Sequence, residues 1–349
     1  MLKHVFLTLL AVVVACALLL FPQLSASAVT ASLSICADSI IPSLFPFMIL
    51  TDLWIVSGCA DYVGRLSARW MCAYFHMPGI SASALITGAV GGFPLGAKTV
   101  ASLYTDGKLT KEQSEHLLLF CSNAGPAFIF GFIGQRIFQS NAAAALLWGI
   151  HLVGAILLGV LFRPKDRPLP STDPDTPAPK PMGESLVCAI TKAGFDTIRI
   201  CIFVTLFTIV STFIEAILPA VFKTTVLSPL LFGVIELASS TSHFQHITPH
   251  AAFVLLSILL AWNGCCVHLQ VSSVVSQSKL SMRKYFIGKT MHMLISLLLS
   301  LLCAPLLFGV PLHAKRSFYG TWMLAAVFTV VLFLLLTKTP YRKKLNFHI

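Results

Sequence analysis

An all-α polytopic membrane protein is the fold class this sequence predicts: about eight spanning helices plus two re-entrant hairpins, arranged as an inverted repeat. Three observations lead there. The 349 residues are 56% hydrophobic and 11% charged, with a mean hydropathy of +0.86. A soluble domain carries about 25% charged residues, and one water-soluble core does not absorb this much apolar surface. Second, eight apolar runs approach the ~20 residues a bilayer crossing needs. Third, two shorter apolar pieces, 80–104 and 226–242, are each broken by Gly, Pro, Ser or a charge.

The eight runs fall near 4–21, 33–57, 117–139, 142–162, 198–219, 250–276, 290–312 and 319–337. Residues 1–30 hold the first. Lys3 and His4 give it a basic start and Ala26-Ser27-Ala28 resembles a cleavage site, so a signal peptide competes with an uncleaved span. The apolar run passes Cys16 unbroken, which argues against a lipoprotein; the uncleaved span is the reading adopted. Residues 31–162 form the first repeat with its following span. Residues 163–183, "RPKDRPLPSTDPDTPAPKPMG", are a linker whose proline density and mixed charge prevent a packed core. Residues 184–312 hold the second repeat and its span, and 313–349 a last span with a basic tail. At the start of the second half, Leu186, Ile190, Ala193 and Ile198 recur at helical spacing, with Glu184, Lys192 and Asp196 elsewhere. That pattern predicts an amphipathic helix lying along the membrane surface.

The net charge of +11 raises the question of nucleic acid, and the distribution answers it. With the linker inside, and each short piece entering and leaving on one side, 20 of the 24 Lys and Arg fall inside; Arg136, Lys223, Lys315 and Arg316 fall outside. This is the bias of cytoplasmic loops, so the partner expected is a lipid bilayer and not nucleic acid. The first short piece then dips in from the cytoplasm and the second from outside, as in carriers whose site lies at the midplane between broken helices.

Four stretches carry polar groups at that depth. "GGFPLGAKTV", 91–100, is one residue away from a phosphate-binding loop, because Ala97 separates Gly96 from Lys98. Such a loop also needs a preceding strand and a soluble domain, and neither is visible. As a re-entrant tip the stretch fits better: a helix through Pro94 would leave the Val90 carbonyl free, and Gly92 and Gly96 admit close approach. Lys98 either snorkels to the interface or attracts an anionic substrate. In "FCSNAGPAFIF", 120–130, Ser122, Asn123, Gly125 and Pro126 interrupt a span; a plain proline kink is the competing reading. In "GVIELASSTSHF", 233–244, Glu236 is costly within a bilayer, and Ser239 and Ser240 place hydroxyls beside it. In "AWNGCCVHLQV", 261–271, Asn263-Gly264 breaks the span and Gln270 follows, while His268 is either a proton relay or a packing residue. His243, His246 and His250 read as a solvated loop. The ten cysteines show no C-x-x-C and no zinc spacing. No metal, cofactor or enzymatic motif is expected.

These stretches together resemble YlbJ-type sporulation integral membrane proteins, within the nucleoside-recognition or Gate-domain superfamily. The resemblance runs over about 33–310 and is most specific across 80–131; before the second-half His-Leu-Gln this chain has Asn263-Gly264-Cys265-Cys266 where such proteins have a Gly- or Ser-rich pair. It implies a transporter-like fold related to concentrative nucleoside carriers, and a role in moving dipicolinic acid across the outer forespore membrane. It carries Gly92, Pro94, Gly96, Lys98, Ser122, Asn123, Gly125, Pro126, Glu236 and Ser239 as site residues. The expected activity is transport of a small organic anion; a nucleoside carrier and a non-transporting assembly protein of the spore envelope are the alternatives. Self-association or binding to other spore-membrane proteins is the further partner expectation.

Overall fold

The computed structural model describes residues 2–166 and 181–308, and every regular element among them is helical. Helix α1 (Leu2–Leu20) ends at Phe21, and α2 (Pro22–Ile35) starts on a proline, which lacks the N–H that a first turn leaves unpaired. A π turn, Cys36–Ile40, joins α2 to α3 (Ile41–Val56), so one rod runs from Pro22 to Val56. Ala26-Ser27-Ala28 lies inside α2, with Ala28 buried. Helix α4 (Cys59–Trp70) closes in a second π turn, Met71–Phe75.

The first re-entrant piece is a helical hairpin of α5 (Ser81–Val90) and α6 (Leu95–Thr105), which pack on each other. Ten residues of α5 rise about 15 Å, half the ~30 Å hydrocarbon thickness. The tip Gly91–Pro94 puts Pro94 at the N-cap of α6, where its missing N–H costs nothing. Next comes α7 (Lys111–Leu117), begun by a capping box between Thr110 and Gln113.

The predicted span 117–139 is not one helix. Helix α7 stops, the backbone is irregular through Pro126, and a π-helical segment, Ala127–Phe138, resumes. Pro126 cannot donate to the preceding turn and biases Gly125 out of helix; the result is a full break, not a kink. Helix α8 (Asn141–Leu161) follows, capped by the Ser140 hydroxyl.

The amphipathic surface helix is also corrected. Residues 184–200 belong to one 36-residue helix, α9 (Met182–Ile217), about 54 Å long. Its inward stripe is small or polar, including Ser185, Ala189, Ala193, Asp196, Thr197, Thr208 and Ser211, while Leu186, Ile190, Ile198 and Ile202 are exposed. Glu184 and Lys192 are exposed as well, so the stretch is the first half of one long helix and not a separate amphipathic one.

After α10 (Ala220–Lys223), the second short piece folds as α11 (Leu227–Ile235), a turn at Glu236, and a 3₁₀ helix, Ser239–His246. Helix α12 (Pro249–Trp262), capped by Thr248, breaks at Asn263, and α13 (Gly264–Val275) continues as expected. Helix α14 (Arg283–Phe308) ends the described chain. Five helical rods among the described residues are long and apolar enough to cross a membrane: Pro22–Val56, Asn141–Leu161, Met182–Ile217, Pro249–Ser278 and Arg283–Phe308. The run 319–337 and most of the linker lie outside the described residues.

Packing links the halves. Helix α3 lies on α9 and α8 on α14. Helix α13 packs on α6, and the π-helical segment packs on the 3₁₀ helix. Within the first half, a Cβ at Gly96 would stand 2.0 Å from the Cys121 carbonyl oxygen, and one at Gly88 1.7 Å from the same oxygen. The hairpin therefore clasps the chain just before the break through two glycines, a contact no side chain permits. Gly96→Ala is expected to destabilise the protein by about 1–3 kcal/mol through overpacking. Gly149→Ala in α8, where nothing lies within 4 Å of the added carbon, is expected to be neutral or to gain up to about 1 kcal/mol. Thermal unfolding in detergent compares the two.

Candidate substrate-binding site

The two breaks meet. Asn263, held at φ +82 in the second break, donates its amide to the Ser122 carbonyl of the first at 3.4 Å. Each break also touches the hairpin of its own half. Gly92, at φ +81, lies so close to Gly125 that a Cβ would stand 2.8 Å from the Gly125 nitrogen. Gly264 sits against the Gly233 and Val234 carbonyls at the end of α11. Depth follows from α8: the Ala124 N–H donates to Nε2 of His151 at 2.9 Å, and His151 stands midway along that 21-residue apolar helix. The first break therefore lies level with the middle of α8.

The polar inventory here is large and incompletely paired. Ser122 and Asn123 are fully buried, and Asn123 donates to the Phe120 carbonyl at 2.9 Å while its Oδ1 has no hydrogen-bond partner. Oδ1 of Asn263 and the Ser122 hydroxyl form no hydrogen bond of normal geometry, although the Tyr285 hydroxyl lies beside both side chains. Gln270 donates to Cys266 Sγ at 3.3 Å and leaves Oε1 unpaired. His268 bonds the Tyr285 hydroxyl at 2.9 Å and is walled by Trp262 and Phe286, a packing environment.

Lys289 was counted above among the inside loop charges, and the structure corrects this. It is fully buried on α14, its ammonium donating to the Ser122 carbonyl and lying 3.5 Å from Nδ1 of His292. His292 Nε2 lies 2.9 Å from the His151 carbonyl, and the two imidazole centroids are 4.6 Å apart with their planes tilted by 43°. No carboxylate among the described residues pairs with Lys289. The sequence signal was present in α14: Tyr285, Lys289, His292, Ser296 and Ser300 recur at helical spacing and all are buried.

Lys98 is turned elsewhere. Its ammonium bonds the Asp196 carboxylate of α9 and lies 3.8 Å from Asp52 of α3, and Arg199 reaches Asp196 at 3.7 Å. Neither snorkelling nor a free anion-attracting charge describes this residue. Asp52, the buried one of two acids in the apolar run 33–57, was the overlooked signal.

Glu236 caps its own turn: its two carboxylate oxygens accept from the Ala238 and Ser239 amides. The Ser239 and Ser240 hydroxyls bond back to the Glu236 and Leu237 carbonyls at 3.4 and 2.8 Å. The acid thus sits beside the second break without reaching the Asn263–Ser122 contact. His243 is half-buried, bonded to Ser228 at 2.9 Å and stacked on Phe232, where a solvated loop was expected; burial lowers its pKa. Among the described residues no group of three or more His, Cys, Asp or Glu could hold a metal.

Fold and site define a multi-pass helical membrane protein in which broken helices meet beside short helical hairpins. The chain belongs to the Gate family, described as nucleoside recognition, whose model matches residues 37–228. It is 26% identical over 307 residues to the sporulation integral membrane protein YlbJ of Bacillus subtilis (strain 168), covering 78% of this chain and 75% of that protein. No solved structure matches.

The network around Lys98 gives a measurable expectation. Lys98→Ala leaves the buried Asp52 beside Asp196, which then has Arg199 alone; with the Lys98 side chain 32% exposed, the cost is expected near 1–3 kcal/mol, below the 3–5 of a fully buried pair. Adding Asp52→Asn to Lys98→Ala removes the repulsion and is expected to restore part of the loss, read as melting temperature of the single and double variants.

Proposed function

We propose that this chain is a carrier or facilitator for a small organic anion, its halves acting as an inverted repeat and its substrate held between the two breaks. The observation that carries this reading is the contact of Asn263 with Ser122: one broken segment from each half, meeting at depth, with buried polar atoms left over. Irregular backbone inside a bilayer persists only where protein covers it or it lines a water-filled cavity. Discontinuous helices at a repeat interface are where secondary carriers hold substrates.

The repeat is supported by pairing of like with like. The rod before each hairpin, α3 or α9, packs on its counterpart, as do α8 and α14, the helices after each broken segment. Counting 111–138 as one interrupted crossing and α1 as another brings the described residues to seven. The sign of the substrate is supported by Lys289, the uncompensated cation at the meeting point. Dipicolinate, a small dicarboxylate, is the first candidate, and the relative's name, a sporulation membrane protein, points the same way; the site of action would then be the outer forespore membrane.

The family's description favours a second reading, a nucleoside carrier with Asn123, Asn263 and Glu236 addressing ribose or base. Purified protein in liposomes separates the two. Saturable uptake of pyridine-2,6-dicarboxylate, with little uptake of uridine or adenosine, is the expected outcome. Nucleoside uptake alone reverses the assignment, and absence of flux with the fold intact favours a membrane assembly role.

A further inference from the structure

We infer that Lys289 binds the carboxylate of the transported anion, at the position where its ammonium meets the Ser122 carbonyl oxygen. This rests on the anion-carrier reading above and adds the group that recognises the charge.

The hydrogen-bond directions set the geometry. Nε2 of His151 accepts from the Ala124 N–H, so that nitrogen carries no proton. The His151 carbonyl can only accept, so His292 donates to it through Nε2–H and offers Nδ1 as an acceptor. Lys289, which has donors only, meets that Nδ1 at 3.5 Å and the Ser122 carbonyl at closer range. Two of its three N–H groups are engaged, both by neutral acceptors. An ammonium removed from water with no counter-charge is expensive, and a carbonyl offers only a partial charge in return.

A second donor points at the same spot. The Asn263 amide also donates to the Ser122 carbonyl oxygen. Two donors from the second half thus converge on one oxygen of the first half, a pattern that suits a carboxylate oxygen at least as well as a peptide oxygen. When an anion takes that place, the Ser122 carbonyl is released. Ser122 lies three residues before Gly125, and Gly125 is in contact with the tip of the α5–α6 hairpin at Gly92. Charge recognition is thereby joined to the tip of the α5–α6 hairpin.

The alternative role for Lys289 is a structural cap on a freed carbonyl, and the two roles predict opposite results for Lys289→Met. Replacing a buried, uncompensated charge by an apolar side chain is often neutral or stabilising. As a binding residue, its Met variant should melt at or above the wild-type temperature without ligand, lose the upward shift that pyridine-2,6-dicarboxylate gives the wild type, and show at least a tenfold higher KM for its uptake. Lys289→Arg should keep part of the shift. A Met variant with wild-type KM and ligand shift overturns the assignment while leaving the carrier reading intact. Failure of both Lys289→Met and Lys289→Gln to fold makes the residue a cap and also overturns it. A wild type that neither binds nor carries any carboxylate defeats the carrier reading and takes this inference with it.

Discussion

The structure depends on how the peptide groups freed by two helix breaks are satisfied away from water. A helix in a bilayer pairs its own backbone; once interrupted, each exposed carbonyl or amide needs a partner from protein, at a cost of several kcal/mol if it finds none. Here the partners come from the opposite half or from neighbouring helices. Ser122 offers its carbonyl to Asn263 and Lys289, and Ala124 offers its amide to His151. The halves are therefore joined by the polar groups that the breaks created, and the apolar packing is arranged around that joint. The glycine contacts follow from the same need. The hairpin covers the Cys121 carbonyl, and only residues without a Cβ at 88 and 96 let it come close enough.

Much of this was legible in the sequence because breaks are written in residues with local effects. Pro94, Pro126 and the Asn263-Gly264 pair each act on their own backbone, so their consequences need no knowledge of the fold. The two short helical pieces between the longer rods were legible for the same reason. What local reading could not supply was which side chains the fold brings to those breaks. Lys289 stands ten residues after Lys279, beyond Arg283 and Lys284, and by composition belongs to a basic loop; only the helical register with Tyr285, His292 and Ser296 marks it as inward. The helix at 184–200 was read too short. Its periodicity was real, but the helix runs on to Ile217; Ala193 and Asp196 face the protein, while Glu184, Lys192, Leu186 and Ile190 are exposed.

Two lysines were candidates for the charge that selects an anion, and their surroundings separate them. Lys98 sits on the hairpin and meets two carboxylates from the rods α3 and α9, with a third of its side chain still exposed. Its charge is already answered, and its geometry ties three elements together. Lys289 is sealed from solvent and answered only by a carbonyl and an imidazole. A fold has no structural need for an ammonium there, since an amide could cap Ser122, as Asn263 already does, without the penalty of charge. The satisfied pair at Lys98 is the kind of contact that holds a conformation; under the proposed function, the charge missing at Lys289 is supplied by the transported anion.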